Sequence, residues 1–219
     1  MPSATSSTPQ LIGVMGGAFD PIHAGHLRAA LEAQSQLPLS RVLFLPTPQP
    51  PHKDAVSASY EHRRNMLALA IARHPGFEVC EIEKQLPQPH YTVNTLRALR
   101  TIFPPPEYRL CWIMGLDSLH HLATWRDWQS LFLFTHFVVV GRPVTSSLPD
   151  ELSETLTNRW CAEAETLLTH DAGFLIKLPS AALAIASREL RRKVQNRQPL
   201  DYLVADPVID YITRHRLYL

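Results

Sequence analysis

The sequence predicts an α/β protein: a doubly wound, mainly parallel sheet with helices on both faces. Short continuous apolar runs, such as residues 11–15 (LIGVM), 41–45 (RVLFL) and 136–140 (HFVVV), read as strands buried on both sides. Segments with apolar residues at helical spacing alternate with them, as in Leu27, Ala30, Ala33 and Leu37. Such alternation implies βαβ units, and ligands then lie beyond the carboxyl ends of the strands.

Each element has its own signal. The first strand, 11–15, closes on Gly16-Gly17, and the helix that follows is stopped by Pro38 before the second strand at 41–45. The pattern then predicts a helix over 60–74, a strand over 77–82, a helix over 92–102 and strands over 110–114 and 136–140. One long helix over 150–168, a strand over 174–178, a helix over 187–196 and a closing helix over 208–215 complete it. The 19 prolines cluster at 46–51, 87–89 and 104–106, which marks connections, and two of the three clusters are expected to rim the ligand end.

Composition limits the function. With 45% hydrophobic and 19% charged residues in 219, the chain has the make-up of one globular domain, expected over 11–219 behind a loose polar tail at 1–10. That tail (MPSATSSTPQ) has neither the basic start nor the apolar stretch of a targeting signal. No run approaches the roughly 18 apolar residues of a membrane span. A net charge of +1 provides no broad positive field, so neither nucleic acid nor a membrane is an expected partner. Three widely spaced cysteines without a CxxC pair fit a reducing cytoplasm. Seventeen of the 21 basic residues are arginine, which suits bidentate contacts to small anions.

The first βα turn runs Gly16-Gly17-Ala18-Phe19-Asp20-Pro21-Ile22-His23-Ala24-Gly25-His26. Two glycines allow close backbone approach, Pro21 pre-sets the turn, and His23 and His26 share one side of the helix start. A helix N-terminus attracts anions, so the pair forms a cradle for a polyphosphate. Neither the GxGxxG nor the GxxxxGK[ST] pattern is present. Taken alone, the two histidines also read as a structural pair, or as a zinc pair with only Asp20 near to complete it.

This turn resembles the HxGH signature of the nucleotidylyltransferase superfamily, and within it the chain is most similar to the bacterial nicotinate-nucleotide adenylyltransferases. The family's other motifs follow in order: Pro51-His52-Lys53, His90-Tyr91-Thr92 in place of SYT, Gly115-Leu116-Asp117 followed by Trp125, and Arg142-Pro143-Val144 in place of RPG. The late ISSTxIR motif is altered to Ile185-Ala186-Ser187-Arg188-Glu189-Leu190-Arg191, which keeps Ser187 and Arg191 but loses a serine and a threonine.

The resemblance implies a Rossmann-like nucleotidylyltransferase fold and transfer of AMP from ATP to nicotinate mononucleotide, with Mg²⁺ brought by ATP and no metal held by the protein. It implies His23, His26 and Arg191 as catalytic residues, joined at the ATP by Gly16, Gly17, Phe19, Gly115, Asp117 and Ser187. Ala18, Lys53, Tyr91, Thr92, Trp125 and Arg142 would hold the mononucleotide.

Plainer roles stand beside these. Asp117 and Ser187 also read as helix caps, Trp125 as a core or rim aromatic, and Arg63-Arg64 and His120-His121 as solvated or packing residues. Two other functions stay open. One is a nucleotidylyltransferase for nicotinamide mononucleotide or phosphopantetheine; the other is a non-catalytic nucleotide sensor, suggested by the altered late motif.

Overall fold

The structure, a computed structural model, describes residues 8–49, 56–141, 148–180, 183 and 185–219. Among them, seven strands form one sheet in which every neighbouring pair is parallel. The first half of the chain alternates β1 (Gln10–Gly17), α1 (Ala24–Gln36), β2 (Leu39–Pro46), α2 (Tyr60–Ile71), β3 (Phe77–Val79) and α3 (Thr92–Ile102). The second half contains β4 (Tyr108–Gly115), α4 (Leu116–His120), β5 (His136–Gly141), α5 (Asp150–Leu156), β6 (Trp160–Cys161), α6 (Glu165–Thr169), β7 (Leu175–Pro179), α7 (Ser187–Gln195) and α8 (Asp206–Arg214).

The spatial order is β3-β2-β1-β4-β5-β7-β6. The chain first winds outward from β1 and then returns to place β4 on β1's other side. The switch point between β1 and β4 is where such a sheet opens a crevice at its carboxyl edge.

Strand alternation divides the core into two layers. Leu11 and Met15 of β1, Val42 and Phe44 of β2, and Cys111 and Ile113 of β4 face one layer, with Ala30 and Ala33 of α1, Met66 of α2, Leu190 of α7 and Val208 of α8. Ile12 and Val14, Leu43 and Leu45, and Trp112 and Met114 face the other, against Leu96 and Leu99 of α3, Leu119 of α4 and Leu152 of α5. Adjacent residues along each strand thus serve opposite faces, which is why these strands read as unbroken apolar runs.

Several expectations are corrected. The single helix expected over 150–168 is broken into α5, β6 and α6. Leu152 and Leu156 pack on the α3 side of the sheet, whereas Leu167 packs on the α1 side. One straight helix cannot bury both, so the chain crosses the sheet edge between them, and Trp160 and Cys161 pair with Leu175 and Ile176 on the way. The strand expected over 77–82 ends at Val79 and gives way to a 3₁₀ turn, Ile82–Gln85. Gln10, assigned to the tail, instead opens β1, pairs with Tyr108 and donates its N–H to the Glu107 carbonyl at 2.9 Å. Pro46 and Pro48 after β2 and the cluster ahead of α3 lie at the carboxyl edge, and the cluster at 104–106 lies ahead of β4 at the opposite edge, whereas Pro50 and Pro51 lie outside the described residues. No helix among the described residues is long and apolar enough to cross a membrane.

At the amino edge of β5, His136 is fully buried. Its Nδ1 accepts the Phe174 N–H at 3.3 Å, so the ring proton sits on Nε2 and faces the His170 carbonyl at 3.0 Å. Burial lowers the imidazole to about 4 from 6.5, the bond to His170 opposing it. The unfolded chain therefore binds the extra proton first as pH falls. The stabilisation is complete above pH 6.5 and is lost on the way down to about 4. Wild type should lose about 3 kcal/mol more than His136→Gln between pH 7 and 4. Urea unfolding at stepped pH checks this; parallel pH profiles for the two proteins would refute it.

Candidate active site

The turn after β1 lies at the switch point. His23 adopts an extended backbone and caps α1, and its N–H donates to His26 Nδ1 at 3.4 Å. The two imidazole rings stack at 3.7 Å, which places both at the helix N-terminus as their spacing predicts. His23 is 6% exposed, and its Nδ1 has no hydrogen-bond partner among the described residues. Burial pushes this imidazole down to about 4, so it is neutral at pH 7. Gly25 makes room for it, since a Cβ there would lie 3.0 Å from His23 Nδ1.

Asp20 organises the turn, although the sequence singled it out only as a stray acid near two histidines. Its carboxylate is 3% exposed and accepts the N–H groups of Ser57 at 2.8 Å and Ala58 at 3.2 Å, together with the Tyr218 hydroxyl at 2.8 Å. Arg191 Nη1 donates to the Asp20 carbonyl at 2.7 Å and lies 3.7 Å from its carboxylate, so α7 places this guanidinium on the turn that carries the histidines. Arg63, read as solvated or packing, is fully buried. Its fork donates to the carbonyls of Ala18, Thr47, Pro48 and Ala58 at 2.6–3.2 Å, tying the turn to the loops on both sides of it. Tandem arginine carries no signal in sequence that one of the pair is buried.

Two glycines have measurable reasons. A Cβ on Gly16 would lie 2.7 Å from Trp112 Cη2, whereas one on Gly115, the exposed N-cap of α4, would meet nothing within 4 Å. The first glycine admits an aromatic ring as well as any ligand. The second faces open space at the β4 end of the crevice. Trp112 also meets Trp125 edge-on at 6.3 Å, so one indole backs both the turn and Trp125.

Other expected site residues are re-placed. The Phe19 ring lies in the core, 5.1 Å from His26 and 6.0 Å from Phe44. Ser187 does not cap α7: Ala186 occupies that position, and the Ser187 hydroxyl donates to the Pro21 carbonyl at 3.0 Å. Asp117 is an exposed first-turn residue of α4, capped instead by Gly115. Tyr91 caps α3, and its own N–H is taken by the Pro89 carbonyl at 2.8 Å, which narrows the available donors there to the opening N–H groups of Thr92 and Val93. Pro89, Tyr91, Asn94 and Arg126 line a cleft of about 390 Å³ at this helix start, next in sequence to Trp125. Lys53 and Arg142 lie outside the described residues.

The Cytidylyltransferase-like family profile matches residues 14–172. A Pseudoalteromonas atlantica protein named "Probable nicotinate-nucleotide adenylyltransferase" is 39% identical over 208 residues, 94% of each chain. A Symbiobacterium thermophilum protein of the same name is 40% identical over 95% of each chain. The chain belongs to the nicotinate-nucleotide adenylyltransferases of the cytidylyltransferase-like family. The fold of this adenylyltransferase is shared with a solved Plasmodium falciparum nicotinic acid mononucleotide adenylyltransferase complexed with NaAD, at a TM-score of 0.71 and 18% identity over 95% of this chain and 97% of that one.

The two glycines provide a steric test. Gly16→Ala should lower stability by about 1–3 kcal/mol because Trp112 must leave its packed position. Gly115→Ala should stay within about 0.5 kcal/mol of wild type. Urea denaturation of the two variants measures the difference, and equal effects would show that Trp112 does not hold Gly16.

Proposed function

We infer that the chain transfers the adenylyl group of ATP to the phosphate of nicotinate mononucleotide, giving deamido-NAD and pyrophosphate, a step in NAD synthesis. The observation that carries this reading furthest is the convergence of His23, His26, the N-terminus of α1 and Arg191 at the β1/β4 switch point. A phosphate oxygen of the mononucleotide attacks the α-phosphorus of ATP, and the bond from that phosphorus to the β-phosphate oxygen breaks. The nucleophile arrives as an anion, so no general base is needed. What the protein must supply is in-line alignment of two anions and stabilisation of charge on the α-phosphate and the departing pyrophosphate.

The side chains divide that work. His23, held neutral by burial, acts as a hydrogen-bond donor and not as a cation. Positive charge comes from Arg191 and from the N-terminus of α1, where the main chain of Gly16, Gly17 and Phe19 runs close to the nucleotide. Gly115 and Asp117, exposed at the end of β4, take the adenosine ribose. Ser187, bonded to Pro21, acts by pinning α7 against the turn. Ala18, Tyr91, Thr92 and Trp125 hold the pyridine mononucleotide with Lys53 and Arg142.

Mg²⁺ enters as part of the MgATP substrate. The buried Asp20 carboxylate already accepts three hydrogen bonds, from the Ser57 and Ala58 N–H groups and the Tyr218 hydroxyl. The phosphates of ATP would hold the ion, with water completing its ligands. We place the protein in the cytoplasm, consistent with three free thiols.

His26→Ala and Arg191→Ala should each lower kcat by about 10²–10³ while the purified variants stay folded, because each removes a preorganised stabiliser of developing charge. Steady-state kinetics decide it; near-normal turnover in either folded variant would refute its assignment.

Selectivity between acid and amide follows from α3. The Thr92 and Val93 N–H groups donate to a carboxylate, whereas the NH₂ of nicotinamide would face a donor with no acceptor. Burying that mismatch should favour nicotinate mononucleotide by about 10² in kcat/KM. A competition assay with both mononucleotides measures the ratio. Equal values would withdraw the nicotinate assignment and leave adenylyl transfer standing.

A further inference from the structure

We propose that Tyr218 is a positioning residue for the polyphosphate site, setting through Asp20 how tightly Arg191 is held away from ATP. The role rests on the reading of Arg191 as a phosphate ligand. Tyr218 lies 198 positions from Asp20, yet its hydroxyl reaches Asp20 Oδ1 at 2.8 Å in a buried contact. Past the end of α8, Arg216 and Tyr218 both occupy the left-handed region, at φ 50° and 67°. Arg216 ends the helix in the common way, whereas Tyr218 is a bulky residue that adopts this region only where its surroundings hold it. Burial, with Asp20 beside it, pushes the phenol well above its ordinary range, so it stays protonated and donates.

Asp20 has a limited supply of donors. Oδ1 takes the Ala58 N–H and the Tyr218 hydroxyl, and Oδ2 takes the Ser57 N–H. Arg191 Nη1 stands 3.7 Å from Oδ2, inside ion-pair range but beyond a hydrogen bond, while it donates to the Asp20 carbonyl. A buried carboxylate that loses a donor recruits the nearest cation. Without the phenol hydroxyl, that cation is Arg191, since the Arg63 fork is already spent on four carbonyls. The hydroxyl thus keeps the Asp20 charge satisfied and leaves Arg191 able to turn to a phosphate. Deleting it should draw Arg191 onto Asp20 and weaken ATP binding without touching the mononucleotide site.

The test is a double-mutant cycle of wild type, Tyr218→Phe, Arg191→Ala and the double variant. Kinetics are recorded separately for ATP and nicotinate mononucleotide, and ATP binding by calorimetry, at a temperature where each variant is folded by circular dichroism. Tyr218→Phe should weaken ATP binding about tenfold, the worth of one charge-assisted hydrogen bond, and leave KM for the mononucleotide within about twofold. In the Arg191→Ala background the same substitution should have no further effect on ATP. A merely structural tyrosine would lower the melting temperature and affect both substrates alike in both backgrounds. That result, or unchanged ATP binding in Tyr218→Phe, overturns the positioning role while the loss in Arg191→Ala keeps the reading of Arg191. An Arg191→Ala protein that binds ATP as wild type does would overturn both.

Discussion

The buried carboxylate of Asp20 is the contact on which the geometry of the turn depends. A charge removed from water must be met by donors, and here the donors come from three separate stretches of chain. Ser57 and Ala58 approach from the segment before α2, Arg191 from α7 and Tyr218 from the segment after α8. Arg63 complements it from the same side of the sheet, collecting carbonyls from the turn itself and from the residues after β2. Opposite charges, each met by several partners, tie the turn to the segments after β2, before α2 and after α8. An apolar replacement could fill the volume but could not set the direction of so many backbone groups.

Trp112 connects that support to the opposite layer. Its ring fills the space where Gly16 lacks a side chain, and its edge meets Trp125. The glycine turn at the end of β1 and the aromatic beyond β4 therefore share one rigid neighbour across the switch point. In-line transfer between two anions requires the two half-sites to keep a constant separation, and an indole packed between adjacent parallel strands holds such a distance well.

The chemistry that results relies on arrangement more than on titration. His23 is uncharged because it is buried, and under the proposed mechanism the cationic contribution falls to Arg191 and the α1 terminus. Arg191 is partly exposed and already bonded to the Asp20 main chain, so on the proposed reading binding ATP exchanges one set of oxygen acceptors for another. Little reorganisation is then needed when charge develops.

Local patterns determined much of this protein. The apolar runs at 11–15, 41–45, 110–114 and 136–140 marked strands of a parallel sheet, because burial on both faces leaves no alternation to obscure them. The Gly-Gly turn and the two histidines three residues apart were legible for the same reason, since a helix start places them together by its own geometry. Tertiary structure decided the rest. The break between α5 and α6 follows from leucines bound for opposite faces of the sheet, and the two-residue β6 exists only because β7 is there to pair with it. Ser187 looked like a cap and proved to be a tether to Pro21. Asp20, Arg63 and Tyr218 gave no sign of their joint role. Whether a polar side chain is solvated or buried among partners depends on which distant segments the fold brings to it, and no local periodicity encodes that contact.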